Sequence, residues 1–258
     1  MKLSCLMTVY NEESFIEYAI ESCLPYVDHL VVVEGAYQET IKLGATPHST
    51  DNTDEIIKKI YKINGEEKII YKKENGETDK DQRNFGLEEI KRLNPDGWLL
   101  IIDGDEVYEA STFKMIRTAM MNMDRSNKYA AYFKSKTFVN DPYHMTEQEF
   151  PRLFKITPEC KFVNDNFMEW PDKGIGWYSP YVIKIPYISY FHYSFCKGRE
   201  KFELKRNWWM NRGFGPRFDY GWKIDETGKI DDPNHAIHDF TGMHPAIMKG
   251  HPLFKKNA

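Results

Sequence analysis

No stretch of the 258-residue chain approaches the roughly 18 consecutive apolar residues that a bilayer-spanning helix needs. The apolar run at the N-terminus, Leu3 to Val9, is too short for the core of a secretory signal with a cleavage site behind it. These absences imply a cytoplasmic protein with no integral membrane segment. Cysteine is scarce: Cys5, Cys23, Cys160 and Cys196 form no C-x-x-C pair, which argues against a zinc site or a disulfide framework. Cys5 and Cys23 lie in apolar segments and read as buried thiols. The formal net charge is only -4, so the chain lacks the basic footprint of a nucleic-acid binder. It contains neither a G-x-G-x-x-G fingerprint nor a Walker lysine motif, which excludes both glycine-rich phosphate cradles. No internal repeat and no sharp shift in composition divides it, so residues 1–258 are expected to form a single domain.

What is present is organised around Trp98 to Val107, W-L-L-I-I-D-G-D-E-V. Five apolar residues in succession predict a strand covered on both faces. It stops at Asp103 and Asp105, separated by one glycine. Ligands of open α/β sheets bind at the carboxyl ends of strands. Residues i and i+2 of an extended chain point the same way, so both carboxylates can face one cation. Hard oxygen ligands suit Mg²⁺ or Mn²⁺, with substrate phosphates completing the shell.

Upstream, Leu3–Val9, His29–Val33 and Lys68–Tyr71 read as further strands. Helical spacing recurs over 14–24, over 55–61 behind the N-cap residues 49–54, and over 80–93, with Pro25 ending the first helix and residues 36–50 forming a polar loop. Strand–helix alternation of this kind predicts an α/β fold with a Rossmann-like, mostly parallel central sheet flanked by helices. Beyond it, 111–127 is a predicted helix and 129–139 a predicted strand, followed by extended segments from Pro151 and over 188–193, a helix over 197–209, and a turn-rich tail with His244-Pro245 and His251-Pro252. Aromatic residues make up 15% of the chain and concentrate after residue 130, which suggests an aromatic-rich region at the C-terminal end.

Five motifs come in an order that resembles family 2 glycosyltransferases of the GT-A fold: T-V-Y-N-E-E at 8–13, V-V-V-E-G at 31–35, S-T-D-N-T-D-E-I-I at 49–57, D-Q-R-N-F-G at 81–86 and I-I-D-G-D-E at 101–106. The resemblance covers about the first 110 residues. It implies a nucleotide-diphosphate sugar donor, UDP-sugar first, with Mn²⁺ or Mg²⁺ on the D-x-D motif and inversion at the anomeric carbon. Residues 1–110 would then bind the nucleotide sugar, and 111–258 a glycan or other hydroxyl acceptor. Thr8, Tyr10 and Asn11 match nucleotide contacts, Glu34 matches a base-contacting aspartate, and Arg83 matches a basic residue near the base or diphosphate. The sequence departs from the family in carrying glutamate at 34 and in the segment 36–48 inserted before Ser49.

On this reading Asp105 is the first metal ligand and Asp103 the second, in part through the ribose, with His192 a candidate third. Arg199, Lys201, Lys205 and Arg206 are candidates for the diphosphate. Family members carry a similar R-L-F run before a segment ending in His-Glu. Here Met168-Glu169 stands in its place, making Glu169 the candidate general base, with Asp165 and Asp172 as substitutes. Apolar neighbours such as Met168 and Trp170 would raise its basicity. Trp170, Trp177, Tyr178, Trp208 and Trp209 are candidates for stacking on sugar faces, although aromatics mostly fill cores. Two other classes fit parts of the sequence. I-I-D-G-D-E-V also resembles the opening motif of HAD-type phosphohydrolases, but here it follows three strands instead of opening the chain, and Asp231-Asp232 sits in a polar G-K-I-D-D-P-N turn and not at a strand end; a non-catalytic nucleotide-sugar-binding module would need no base.

Overall fold

The four apolar runs of the first hundred residues become strands β1 (Leu3–Val9), β2 (His29–Glu34), β3 (Ile69–Lys73) and β4 (Trp98–Ile101) of a computed structural model. It describes residues 1–171, 173, 179–197, 201, 203, 207, 223–224, 229–231 and 236–255. The four strands pair in parallel in the order β3-β2-β1-β4. Parallel pairing requires a crossover, and helices α1 (Ile16–Cys23), α3 (Thr53–Asn64) and α4 (Asp79–Leu93) supply it. The segment expected to be a plain loop holds one short helix, α2 (Gln38–Ile41).

Both faces of this half are buried, and the side chains sort by period two. Cys5, Met7, Leu30 and Val32 join the core beneath α1, α3 and α5 (Ala110–Arg125). Leu6, Val31 and Val33 join the opposite core with Leu87 and Ile90 of α4. Each fully buried valine contributes roughly 1.5–3 kcal/mol relative to exposure. Helix α4 lies so near the sheet that a Cβ on Gly86 would stand 2.2 Å from Leu6 Cδ1. Cys5 and Cys23 are buried free thiols, as the sequence implied.

Beyond β4 the sheet changes character. It continues through β5 (Glu106–Val107), β6 (Ala130–Val139), β7 (His144–Lys155) and β10 (Val182–Phe195) in the spatial order β4-β7-β6-β10-β5. Pairs β4–β7, β6–β7 and β10–β5 are antiparallel, and β6–β10 is parallel. Only residues 140–143 link β6 to β7, too few for a parallel crossover, so the chain folds back in a hairpin. Asn140 takes φ 69° there, and Asp141 Oδ1 accepts from the Tyr143 and His144 amides. The short pair β8 (Lys161–Phe162) and β9 (Met168–Glu169) forms a separate ribbon. Strands β11 (Lys223–Ile224) and β12 (Ile230–Asp231) pair with each other, and β13 (His238–Asp239) joins β7.

The aromatic excess finds its use here. Phe138, Phe191 and Tyr193 stack on one another, and Phe15, Phe240, His244, His251 and Phe254 close around them, fastening the tail to the sheet. Trp170 is buried against Phe154 and donates Nε1–H to the Lys155 carbonyl at 2.7 Å, so it is a core residue and not a platform for a sugar. No helix among the described residues is long and apolar enough to cross a membrane.

Candidate active site

Strand β4 delivers Asp103-Gly104-Asp105 to its carboxyl end, where the turn closes on itself. Glu106 N–H donates to the Asp103 carbonyl at 3.0 Å, and Asp103 N–H donates to Glu106 Oε2 at 3.2 Å. The antiparallel pairing of β5 with β10 sets His192 opposite Glu106, and the Tyr193 amide donates to the Asp105 carbonyl at 3.0 Å. His192 Nε2 consequently lies 3.3 Å from Asp105 Oδ1. β10 is irregular just after His192, a feature that re-aims side chains at strand ends.

The two aspartates have different company. Asp103 Oδ1 is 3.4 Å from Arg83 Nη2, and Oδ2 accepts from Arg152 Nη2 at 2.9 Å. Burial alone would raise the Asp103 carboxyl, but the Arg152 and Arg83 guanidiniums outweigh it and hold the group below the usual range. Arg152 also pairs with Glu106 and donates Nε–H to the Tyr190 hydroxyl at 3.2 Å. Burial pushes the Glu106 carboxyl up to about 8 even with Arg152 beside it. Arg83 is held from behind by Asp79, at 3.1 Å, which in turn accepts from the Tyr37 hydroxyl at 3.0 Å. Burial raises Asp79, and the charge of Asp165 adds to the shift. Asp105 faces Lys197, whose Nζ is 2.5 Å from Oδ2 and 2.6 Å from each Glu12 carboxylate oxygen.

The end of β1 and the loop after it carry Thr8, Tyr10 and Asn11 to the same end of the sheet. Asn11 adopts φ 54°, tolerable for asparagine, and its side chain accepts from the Thr50 amide at 2.8 Å. Its amide donates to Ser49 Oγ, and the Glu12 amide to Thr53 Oγ1, binding the loop to the start of α3. The Tyr10 hydroxyl meets Thr46 Oγ1 at 3.0 Å. Lys201 Nζ donates to the Asn11 carbonyl at 2.8 Å. Thr8 lies in β1 opposite Val33.

Glu34 has a different setting from the one its match to a base contact implied. Its side chain is 0% exposed, and its oxygens accept from the Ser49 amide at 2.6 Å and meet His48 Nδ1 at 3.0 Å. The longer arm of glutamate is used to hold the inserted segment through Ser49 and His48. Glu169 lies on β9, 44% exposed, with its carboxylate 3.7 Å from Lys161. Its neighbours Met168 and Trp170 are buried in the other direction, so the apolar setting expected from its sequence neighbours does not surround the carboxylate. Asp172, Trp177, Tyr178, Arg199, Lys205, Arg206, Trp208, Trp209 and Asp232 lie outside the described residues.

The fold thus brings Arg83, Asp103, Asp105 and His192 together and adds Glu12, Asp79, Glu106, Arg152 and Lys197. The sequence signal for Arg152 was weak: a charged residue between Pro151 and the apolar Leu153-Phe154 on a strand. Even with Glu106 left out, the formal charges of Glu12, Asp79, Asp103 and Asp105 outnumber those of Arg83, Arg152 and Lys197. Among the described residues no group of three or more His, Cys, Asp or Glu side chains is arranged to hold a metal by itself. The adjacent Asp105 oxygen and His192 nitrogen, 3.3 Å apart, are donors that could contribute two ligands to a divalent cation whose remaining shell came from elsewhere.

No protein-family model matches the chain, and no curated protein matches it. Among solved structures it is similar to S. aureus TarS 1–349, with 17% identity and TM-score 0.46 over 81% of this chain and 64% of that one. It is similar to the inositol-1-phosphate CTP transferase from T. maritima, with 10% identity and TM-score 0.42 over 81% and 96%. A third is glucosyl-3-phosphoglycerate synthase from Mycobacterium tuberculosis in complex with Mn²⁺, uridine-diphosphate-glucose and phosphoglyceric acid, with 16% identity and TM-score 0.35 over 53% and 43%. The chain spans less than two thirds of the TarS and synthase chains.

Proposed function

We propose that the chain is a metal-dependent, inverting glycosyltransferase of the GT-A type, moving a sugar from a nucleotide-diphosphate donor, UDP-sugar first, to a hydroxyl acceptor. The observation that carries the reading is the Asp103-Gly104-Asp105 turn at the carboxyl end of β4, with His192 against Asp105 and two buried arginines against Asp103. A divalent cation bound there supplies Lewis-acid stabilisation of the departing diphosphate. Asp105 and His192 would hold it. Asp103, fixed by Arg83 and Arg152, presents a rigid carboxylate edge to the ribose. Two guanidiniums on Asp103 also disfavour the phosphohydrolase reading, in which that carboxylate must be a free nucleophile.

Thr8, Tyr10, Asn11 and Arg83 remain the nucleotide contacts in this proposal, and Glu34 acts through the inserted segment rather than on the base. Single displacement needs a base for the acceptor hydroxyl. Glu169 takes that role, with Asp165, whose charge already bears on Asp79 beside Arg83, as the substitute. The test is incubation with Mn²⁺ and a panel of nucleotide sugars, scoring released nucleotide diphosphate and the anomer of the product. Glu169→Gln should leave donor affinity nearly unchanged and lower turnover by about 10²–10⁴. A retained anomer contradicts single displacement. An inverted product with a fully active Glu169→Gln moves the base to Asp165 or Asp172.

A further inference from the structure

Lys197 stands two residues beyond the end of β10, and its side chain reaches the Asp103-Gly104-Asp105 turn. The ammonium touches three carboxylate oxygens: both of Glu12 and Oδ2 of Asp105, at 2.6, 2.6 and 2.5 Å. The side chains of Lys197, Glu12 and Asp105 are 8%, 18% and 5% exposed. Gly104 permits the arrangement: a Cβ there would stand 3.0 Å from Glu12 Cγ, so the glycine gives Glu12 room to lean over the turn. Among the described residues this one ammonium bridges the two carboxylates, with the charge of Lys201 also bearing on Glu12. Burial would lower the lysine, but the Asp105 and Glu12 carboxylates outweigh it and keep the ammonium charged. Burial raises the Glu12 carboxyl even so, since the ammonium does not fully repay its desolvation.

A lysine is a point charge on a flexible four-carbon stem. It can leave a carboxylate pair only if another cation replaces it there and another anion receives it. The donor of the proposed reaction brings both, a divalent cation and a diphosphate. We propose that Lys197 is an exchangeable counter-ion of the donor site: it neutralises Glu12 and Asp105 before the donor binds and passes to the diphosphate when the donor's cation takes over Asp105. The proposal rests on the metal-assisted reading above. It makes Lys197 a gate that admits cation and nucleotide together and resists the cation alone.

Two opposite effects test it. Lys197→Met keeps the stem and removes the charge. Titration of Mn²⁺, followed by calorimetry and by the electron paramagnetic resonance signal of free Mn²⁺, should give about tenfold or tighter Mn²⁺ binding without UDP, because a competing cation is gone from two buried carboxylates. UDP titrated in saturating Mn²⁺ should bind about tenfold or more weakly, because a charged phosphate partner is lost. Lys197→Gln, which keeps a hydrogen-bond donor for Glu12, should show the same pair of shifts. A lysine that only supports the fold would weaken both. Unchanged or weaker Mn²⁺ binding in both variants overturns the exchange and leaves the metal reading standing. If no protein binds Mn²⁺ with or without UDP, while UDP binds in the presence of chelator, the metal reading falls and the exchange falls with it.

Discussion

Arg152 shows how a single residue governs the site. Its guanidinium is buried between Asp103 and Glu106, with Tyr190 as a third partner. Removing one member of a buried ion pair leaves an uncompensated charge, which costs about 3–5 kcal/mol. Arg152→Leu should therefore lose stability of about that size in urea denaturation, whereas Arg152→Leu with Glu106→Leu should lose less than the sum of the two single changes. A single variant within about 1 kcal/mol of wild type, the size of a surface pair, would show that the pair is hydrated and not buried. The sequence could not reveal this contact, because Arg152 and Glu106 are 46 positions apart and meet only through the pairing of β7 beside β4. Lys197 and Glu12 are 185 positions apart and were equally hidden. Asp103 and Asp105 were legible because the apolar run of β4 stops at them, whereas Arg83 and His192 were singled out by the motifs that resemble the glycosyltransferase family.

Among elements, the tail held by two histidines makes the clearest pH prediction. His251 Nδ1 accepts from the Leu253 amide at 3.0 Å, so Nε2 carries the hydrogen that goes to the Ser14 carbonyl at 2.7 Å. His244 likewise directs Nε2–H to the Pro142 carbonyl, leaving Nδ1 to meet the Tyr193 hydroxyl at 2.8 Å. Both rings are held below the ordinary histidine range, His251 by burial and His244 by burial with the nearby Lys136 charge. Well above a pH of about 6.5 the rings are neutral whether the tail is docked or free, and they contribute no pH dependence. As pH falls below that value the free rings take up protons before the docked ones, so docking weakens. Hydrogen exchange of residues 244–255 should accelerate between pH 7.5 and 5.5, a range spanning the histidine transition, relative to α4. Equal protection of the tail across that range would contradict the assignment. The sequence announced this segment only as turn-rich. It also gave β10 as residues 188–193, whereas the strand runs from Val182 to Phe195, because exposed Lys184 and Tyr187 and the intervening Pro186 break the alternation that marks a half-buried strand.

For the whole molecule, the parallel half was readable because its strands are mostly apolar and buried and alternate with helices. In the second half β6 was legible over 129–139, but the order β7-β6-β10-β5 was not, since it is decided by tertiary pairing between strands that mix charged and aromatic residues. The central claim is that this sheet presents Asp105 to a cation shared with a nucleotide diphosphate. Calorimetry of UDP binding to wild type and Asp105→Ala, each with Mn²⁺ and with chelator, tests it directly. The account predicts tight binding for wild type with Mn²⁺ and weaker binding in the other three combinations. Equal affinity in all four would contradict it.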